Sequence, residues 1–142
     1  MKKFRYRLER VLQYRQVVRA ERQRELLLAR QKLASMLERL SNLESELLRE
    51  HTAGVEHLTA EFLELTQRYT ARVAAQIEQL KEMIVECEKE VEEARLRYVE
   101  ASQEAEALVK HKGHKHQEYE QMIDKVLQNQ MDETTVQRFG RN

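Results

Sequence analysis

The sequence predicts an all-α protein, with two long helices in an antiparallel coiled-coil hairpin and the second helix longer than the first. Apolar residues recur at alternating spacings of three and four, and an average spacing of 3.5 keeps them on one narrow stripe of a helix. The 142 residues include no proline, 35% are charged and only 6% are aromatic. This composition is typical of long paired helices rather than of a layered globular core.

The first helix is predicted from about residue 4 to residue 50. Its stripe consists of Leu26, Ala29, Leu33, Met36, Leu40, Leu43 and Leu47. From Val18 through Arg22 to Leu26 the spacing is four and four, which places Arg15 and Arg22 on or beside the stripe. Their aliphatic stems then cover the seam while the charged ends reach water. Alternatively, the seam is open here and offers basic groups to a partner.

A turn at about residues 51–54 is predicted because Gly54 follows the end of the first stripe and glycine commonly terminates a helix. The second helix is then expected at about 55–128, followed by a flexible tail at 129–142, all within one coiled-coil domain of residues 1–142. Its stripe consists of Val55, Leu58, Phe62, Leu65 and Tyr69, then Ile77, Leu80, Ile84, Cys87, Val91, Ala94, Tyr98, Ala101, Ala105 and Leu108.

The charges support an antiparallel arrangement. Residues 1–32 carry 11 Lys/Arg against 3 Asp/Glu, whereas residues 76–106 carry 4 against 10. Folding the chain about residue 53 pairs residue i with about residue 106 − i, so the basic stretch lies along much of the acidic one. Opposite charges beside a seam favour this pairing over a parallel dimer of continuous helices.

No catalytic or metal constellation is recognisable, so neither an enzyme, nor a cofactor, nor a metal is predicted. The histidines His111, His114 and His116 are interspersed with lysines that repel a cation, and Gly113 loosens their spacing. The basic N-terminus with its aromatic residues invites a nucleic-acid interpretation, against which stand the zero net charge and the acidic second helix. Neither a signal peptide nor a membrane-spanning stretch is evident, which predicts a cytoplasmic protein.

Both ends of the chain resemble one known family. Lys3-Phe4-Arg5-Tyr6-Arg7-Leu8, followed by Val11-Leu12 and Arg15, is similar to the opening of the flagellar export protein FliJ family. The closing stretch Met131-Asp132-Glu133 with Arg138-Phe139 resembles that family's short C-terminal motif. The resemblance implies an antiparallel coiled coil like the central stalk of rotary ATPases, peripherally associated with the inner-membrane export apparatus.

The resemblance also implies three partners: the hexameric export ATPase, whose pore receives the ends of the hairpin, the cytoplasmic domain of the export gate, and export chaperones. The family's gate contact aligns with Tyr69, Val73, Gln76 and Leu80. Tyr69 and Val73 flank a second four-and-four step, Tyr69 to Val73 to Ile77, where the stripe is expected to turn outward. The basic cluster expected to dock on the ATPase consists of Arg5, Arg7, Arg10, Arg15, Arg19 and Arg22.

The sequence therefore predicts a stalk or coupling component of flagellar type III export. Two related interpretations remain open at this stage: a generic coiled-coil adaptor or chaperone without an ATPase, and the stalk of a virulence type III secretion system. A helical hairpin that binds nucleic acid is a further alternative, although no nucleic-acid partner is expected.

Overall fold

The computed structural model describes residues 3–53 and 59–140, without the side chains of residues 52 and 53. This part of the chain contains two α-helices and no strand. Helix α1 spans Glu9–Ala53 and helix α2 spans Ala60–Gly140. The predicted all-α hairpin with a longer second helix is confirmed.

Helix α1 begins at Glu9, five residues later than predicted. The Glu9 amide bonds the Tyr6 carbonyl at 3.2 Å, and the Leu12 amide bonds the Leu8 carbonyl at 2.9 Å. The positive end of a helix dipole stabilises an acidic residue and disfavours cations. Every charged residue before Glu9 is a lysine or an arginine, and Lys3, Arg5 and Arg7 accordingly stay outside the helix.

The connection between the helices also differs from the predicted turn. Residues 51–53 are still helical, and Gly54, the predicted turn residue, lies outside the described residues together with Val55 and Leu58. Helix α2 begins at Ala60, and the Leu63 amide bonds the Thr59 carbonyl at 3.0 Å. Threonine is a favoured residue immediately before a helix, and Glu61 in the first turn suits the helix dipole.

Helix α2 continues to Gly140, through residues 129–140 that were predicted to form a tail. No proline interrupts this stretch. The hydroxyl groups of Thr134 and Thr135 donate to the carbonyls of Gln130 and Met131, each at 2.8 Å. Bonding back to the preceding turn satisfies these hydroxyls within the helix.

The chain consists of two compact units. The terminal unit comprises Met1–Ala20 and Glu100–Asn142, and the central unit comprises Glu21–Val99. Each unit contains part of both helices. The assignment of residues 1–142 to one coiled-coil domain stays a prediction.

In the terminal unit, the two helices run antiparallel. Glu9 pairs with Lys112, whose Nζ lies 2.8 Å from Oε2, and Arg15 pairs with Glu104 at 2.5 Å. The seam buries Leu12 of α1 and, from α2, Ala101 and Ala105.

In the central unit, Lys32 Nζ of α1 lies 3.3 Å from Glu90 Oε2 of α2. The seam of this unit buries Leu26 from α1 and, from α2, Val73, Ile77, Leu80, Ile84, Cys87 and Ala94. The remaining residues of the predicted α1 stripe, from Ala29 to Leu47, are half-buried on the same face.

The predicted register is wrong in both units. Folding about residue 53 places residue 32 against residue 74 and residue 15 against residue 91, whereas their partners are Glu90 and Glu104. The displacement of 13 to 16 residues is close to two heptads, and a slip by whole heptads leaves the apolar stripe in place. The apolar pattern therefore cannot distinguish the two registers.

Candidate functional site

The segment of residues 3–8 precedes α1. Its exposure alternates as in an extended chain, and residues 7 and 8 form the turn that leads into the helix. The side chains of Lys3, Arg5 and Arg7 are exposed, whereas those of Phe4, Tyr6 and Leu8 are half-buried. Successive side chains of an extended chain point to opposite sides, so a period of two separates the cations from the apolar residues. We call residues 3–8 the N-terminal segment.

Aromatic contacts hold the N-terminal segment against α2 within the terminal unit. The Phe4 ring meets His116 edge to face, with 5.0 Å between centroids, and lies 5.6 Å from the Tyr119 ring. The Tyr6 ring lies 5.5 Å from that of His111, and Tyr6 Oη and His111 Nδ1 are hydrogen-bonded at 2.5 Å. These contacts fix the backbone between the exposed cations.

An open groove of about 1190 Å³ lies between the N-terminal segment and α2. Residues 3–8 form one side, and the α2 side consists of His111, Lys115, Glu118, Tyr119 and Met122. Lys115 Nζ lies 3.2 Å from Glu118 Oε2, so this lysine is already paired. The groove therefore combines apolar lining with an edge of cations from the N-terminal segment. We call it the terminal groove.

Three arginines of the predicted ATPase cluster are freely accessible. Arg5, Arg7 and Arg10 are exposed, and no ion pair within the described residues involves them. Arg5, Arg7, Arg10, Arg15 and Arg19 belong to the terminal unit, whereas Arg22 belongs to the central unit. The structure thus brings five of the six predicted residues into one unit.

The other three arginines occupy the seam. Arg15, Arg19 and Arg22 are half-buried. In the terminal unit Arg15 and Arg19 follow the buried Leu12 at spacings of three and four, and in the central unit Arg22 precedes the buried Leu26 by four. Arg15 is bonded to Glu104, and Arg22 Nη1 lies 3.0 Å from Glu25 Oε2. Within each unit these side chains therefore cover the seam with their stems, as one of the two interpretations predicted.

The predicted gate-binding residues do not share one exposed face. Val73 is 3% exposed and Leu80 is also buried, whereas Tyr69 is half-buried and Gln76 is exposed. The expectation that Val73 turns outward is wrong. The Arg72 guanidinium lies 5.7 Å from the centre of the Tyr69 ring.

Two threonines explain why Val73 is buried rather than turned outward. The seam of α2 continues in steps of three and four from Val73 back to Thr70 and Thr66, both half-buried, so no stutter is present. Thr70 Oγ1 donates to the Thr66 carbonyl at 2.7 Å, and Thr66 Oγ1 donates to the Phe62 carbonyl at 2.8 Å. With its hydroxyl satisfied by the helix backbone, threonine can occupy a half-buried position.

The displaced stripe residues form an exposed flank beside the seam in the central unit. Leu65 is 66% exposed, and Phe62 and Met83 are exposed as well. Tyr69 and Gln76 lie on the same side of the helix as Leu65 and Met83, because their spacings of four and seven residues approximate whole turns. This flank of Leu65, Tyr69, Gln76 and Met83 is the accessible surface nearest to the predicted gate site.

Within the described residues, no group of three or more His, Cys, Asp and Glu side chains can hold a metal ion. Neither helix, as far as it is described, contains a stretch apolar and long enough to cross a bilayer. The hydrogen bond from Arg95 lowers the pKa of the exposed Glu92 and raises that of Arg95 itself, as expected of a pair on a helix surface.

The N-terminal segment and its histidine contacts were not predicted from the sequence. The signal was present in Lys3-Phe4-Arg5-Tyr6-Arg7-Leu8, where cations and apolar residues alternate with a period of two. A period of two indicates an extended chain rather than a helix. His111 and His116, considered only as metal ligands, contact the aromatic rings of this segment instead.

The comparisons with known proteins support the resemblance seen at both ends of the chain. The sequence model of the family described as Flagellar FliJ protein matches residues 4–142. Neither the curated proteins nor the solved structures compared with the chain gave a match.

Proposed function

We propose that this chain, which belongs to the FliJ family of flagellar export components, is the stalk that couples ATP hydrolysis to type III protein export. The stalk acts in the cytoplasm, at the inner-membrane export apparatus. Its partners are the hexameric export ATPase, the cytoplasmic domain of the export gate and export chaperones. Its role is contact between these proteins rather than catalysis.

The terminal unit is the end that docks on the ATPase. The supporting observation is the group of exposed cations Arg5, Arg7 and Arg10, none of which is in an ion pair within the described residues. Exposed charges of one sign accelerate association with an oppositely charged surface more than they add affinity. Arg15 and Arg19 belong to the same proposed surface, although their stems also fill the seam.

Stimulation of the purified export ATPase by this chain tests the proposal. Reversing Arg5, Arg7 and Arg10 to glutamate should slow association, weaken its dependence on salt and lower the stimulation. The matched control reverses Lys110, Lys125 and Arg138, three exposed basic residues of α2. If a folded triple variant stimulates the ATPase like the parent chain, the basic cluster is not the docking surface.

The export gate binds the second helix through the positions that remain accessible. Tyr69 and Gln76 make the contact, while Val73 and Leu80 maintain the helix pairing beneath them. The exposed Leu65 and Met83 extend this surface in the central unit. Exposed apolar patches commonly mark interaction sites, which supports this side of α2.

Tyr69→Ala with Gln76→Ala tests the gate contact while leaving the seam intact. We expect weaker binding to the purified gate domain and nearly unchanged helicity. Gln67→Ala with Gln103→Ala is the control, since both glutamines are exposed and lie on the opposite side of α2. Equal gate affinity in the test variant and its control would exclude Tyr69 and Gln76 as contact residues.

A further inference from the structure

The exposed edge of the N-terminal segment carries three positive charges. Lys3, Arg5 and Arg7 alternate with the residues held against α2. Lys3 and Arg5 precede the turn, and alternate side chains of an extended chain are about 7 Å apart, whereas Arg7 lies in the turn that leads into α1. None of the three is in an ion pair within the described part of the chain. The same spacing occurs between alternate side chains of any extended peptide laid alongside.

Apolar side chains lie next to this row of charges. Leu8 and Tyr119 are half-buried, whereas Met122 is 57% exposed, and all three line the terminal groove. Phe4 and Tyr6 are held by His116, Tyr119 and His111, so the N-terminal segment is already ordered before a partner arrives. An ordered site loses less conformational entropy when it binds.

Several backbone groups of the N-terminal segment form no hydrogen bond with other backbone groups of the described residues. In the described part of the chain, residues 3–5 take part in no backbone–backbone hydrogen bond, and the Tyr6 carbonyl accepts from the Glu9 amide. An extended peptide can add to an exposed extended segment through main-chain hydrogen bonds, while alternate side chains supply specificity.

We infer that the terminal groove binds an extended acidic segment of a partner protein in which acidic and apolar residues alternate. The acidic side chains pair with Lys3, Arg5 and Arg7, and the apolar ones lie against Leu8, Tyr119 and Met122. The terminal groove lies in the unit that we propose docks on the ATPase. The acidic and apolar character of the bound segment is independent of that proposal, which supplies only the partner's identity.

The chemistry of the groove favours this occupant over two others. A nucleic acid has no aliphatic side chains to lie against Leu8 and Met122, and it has no peptide groups to pair with the backbone of residues 3–5. A second copy of the chain would offer its acidic residues 78–106 on a helix, whose main-chain groups are already bonded.

Fluorescence anisotropy with a labelled octapeptide of alternating glutamate and valine tests the inference on the full chain. We expect saturable binding at low salt and none to the peptide with lysine in place of glutamate. Arg5→Glu with Arg7→Glu should weaken binding by about tenfold or more, because two charge-assisted contacts are lost. Met122→Ser should weaken it less, since only apolar contact is removed.

Lys125→Glu with Arg138→Glu is the matched control, with the same change in net charge at exposed positions outside the groove. If it weakens binding as much as the Arg5 and Arg7 reversals, the peptide responds only to net charge and the inference is overturned. Tighter binding of a single-stranded octanucleotide, or peptide-independent dimerisation that the Arg5 and Arg7 reversals abolish, would also overturn it. Circular dichroism establishes that each variant is folded.

The peptide-binding assay and the ATPase assay test the two proposals independently. If the peptide binds as expected but the Arg5, Arg7 and Arg10 reversals leave ATPase stimulation unchanged, the groove has its acidic ligand and the ATPase docking is wrong. If stimulation is lost in that variant but the peptide does not bind the parent chain, the docking holds and the inference about the groove is wrong.

Discussion

Gly113 lies in the interior of α2 without any structural need for glycine. No glycine in the described residues has a positive φ, and a Cβ added at Gly113 meets nothing within 4 Å. Gly113→Ala should therefore stabilise the protein by about 1 kcal/mol, since alanine has the higher helix propensity and restricts the unfolded chain. Urea denaturation measures the change.

Gly140→Ala is the control for Gly113, because Gly140 is the last residue of the helix and is equally unobstructed. It should change the free energy of unfolding by much less than Gly113→Ala. A destabilised Gly113→Ala variant would mean that the helix does not continue through the histidine-rich stretch as the structure shows.

Ile84 and Met83 are neighbours with opposite environments. Ile84 is 6% exposed in the seam of the central unit, whereas Met83 is 49% exposed. Ile84→Asp should cost several kcal/mol and remove most of the helicity, because it buries an unpaired charge. Met83→Asp should cost only a fraction of a kcal/mol through helix propensity. Equal loss of ellipticity in both variants would contradict the seam assignment.

At the scale of one element, the beginning of α2 shows how the polar–apolar pattern can mislead. The apolar series Phe62, Leu65 and Tyr69 indicates one stripe, yet the seam passes through Thr66, Thr70 and Val73. A threonine that bonds its hydroxyl to its own helix counts as a seam residue, which a simple apolar count does not recognise.

Val73→Ala should therefore destabilise the hairpin by about 2 kcal/mol, because it removes buried apolar surface and leaves a cavity. Leu65→Ala should be close to neutral, since its side chain is largely exposed. Thermal denaturation of both variants distinguishes the two stripes. If Leu65→Ala destabilised the protein more than Val73→Ala, the seam would pass through Leu65, as the apolar pattern predicts.

The C-terminal part of α2 is helical with almost no burial. Among residues 124–140 every side chain is exposed, and Phe139 is 78% exposed. Helices without an apolar contact are marginal in water, so the amides of 124–140 should exchange with solvent much faster than those of 77–105. Hydrogen exchange followed by mass spectrometry measures this contrast. Equal protection would show that another surface covers this part of the helix.

At the scale of the whole molecule, the fold class followed directly from the sequence. The heptad spacing, the absence of proline and the opposite charges of the two stretches together specify paired antiparallel helices. The helix ends were predicted less well, because their signals are local and lie outside the stripe: Thr59 precedes α2, and Glu9 begins α1 after a basic stretch. The candidate site was predicted in part: the exposed arginines were named, but the non-helical N-terminal segment that carries Arg5 and Arg7 was not.

The register could not be predicted, because neither the apolar stripe nor the charge pattern is unique to one register. A slip of two heptads preserves the stripe, and the acidic stretch of 76–106 is long enough to face cations in either position. Lys32 meets Glu90 in the structure, yet residue 74, its predicted partner, lies one helical turn from Glu78. Only a measured distance between specific residues separates the two registers.

Spin labels in the central unit supply that distance. In a chain with Cys87→Ala, labels at positions 32 and 90 should be close together, because the helix axes of a coiled coil are only about 10 Å apart. Labels at 32 and 74 should be more than about 24 Å apart, the axial length of the 16 residues between positions 74 and 90. The sequence-based register reverses these two results, since it places residue 74 opposite residue 32. A short 32–74 distance with a long 32–90 distance would therefore establish that register and invalidate the ion pair between Lys32 and Glu90.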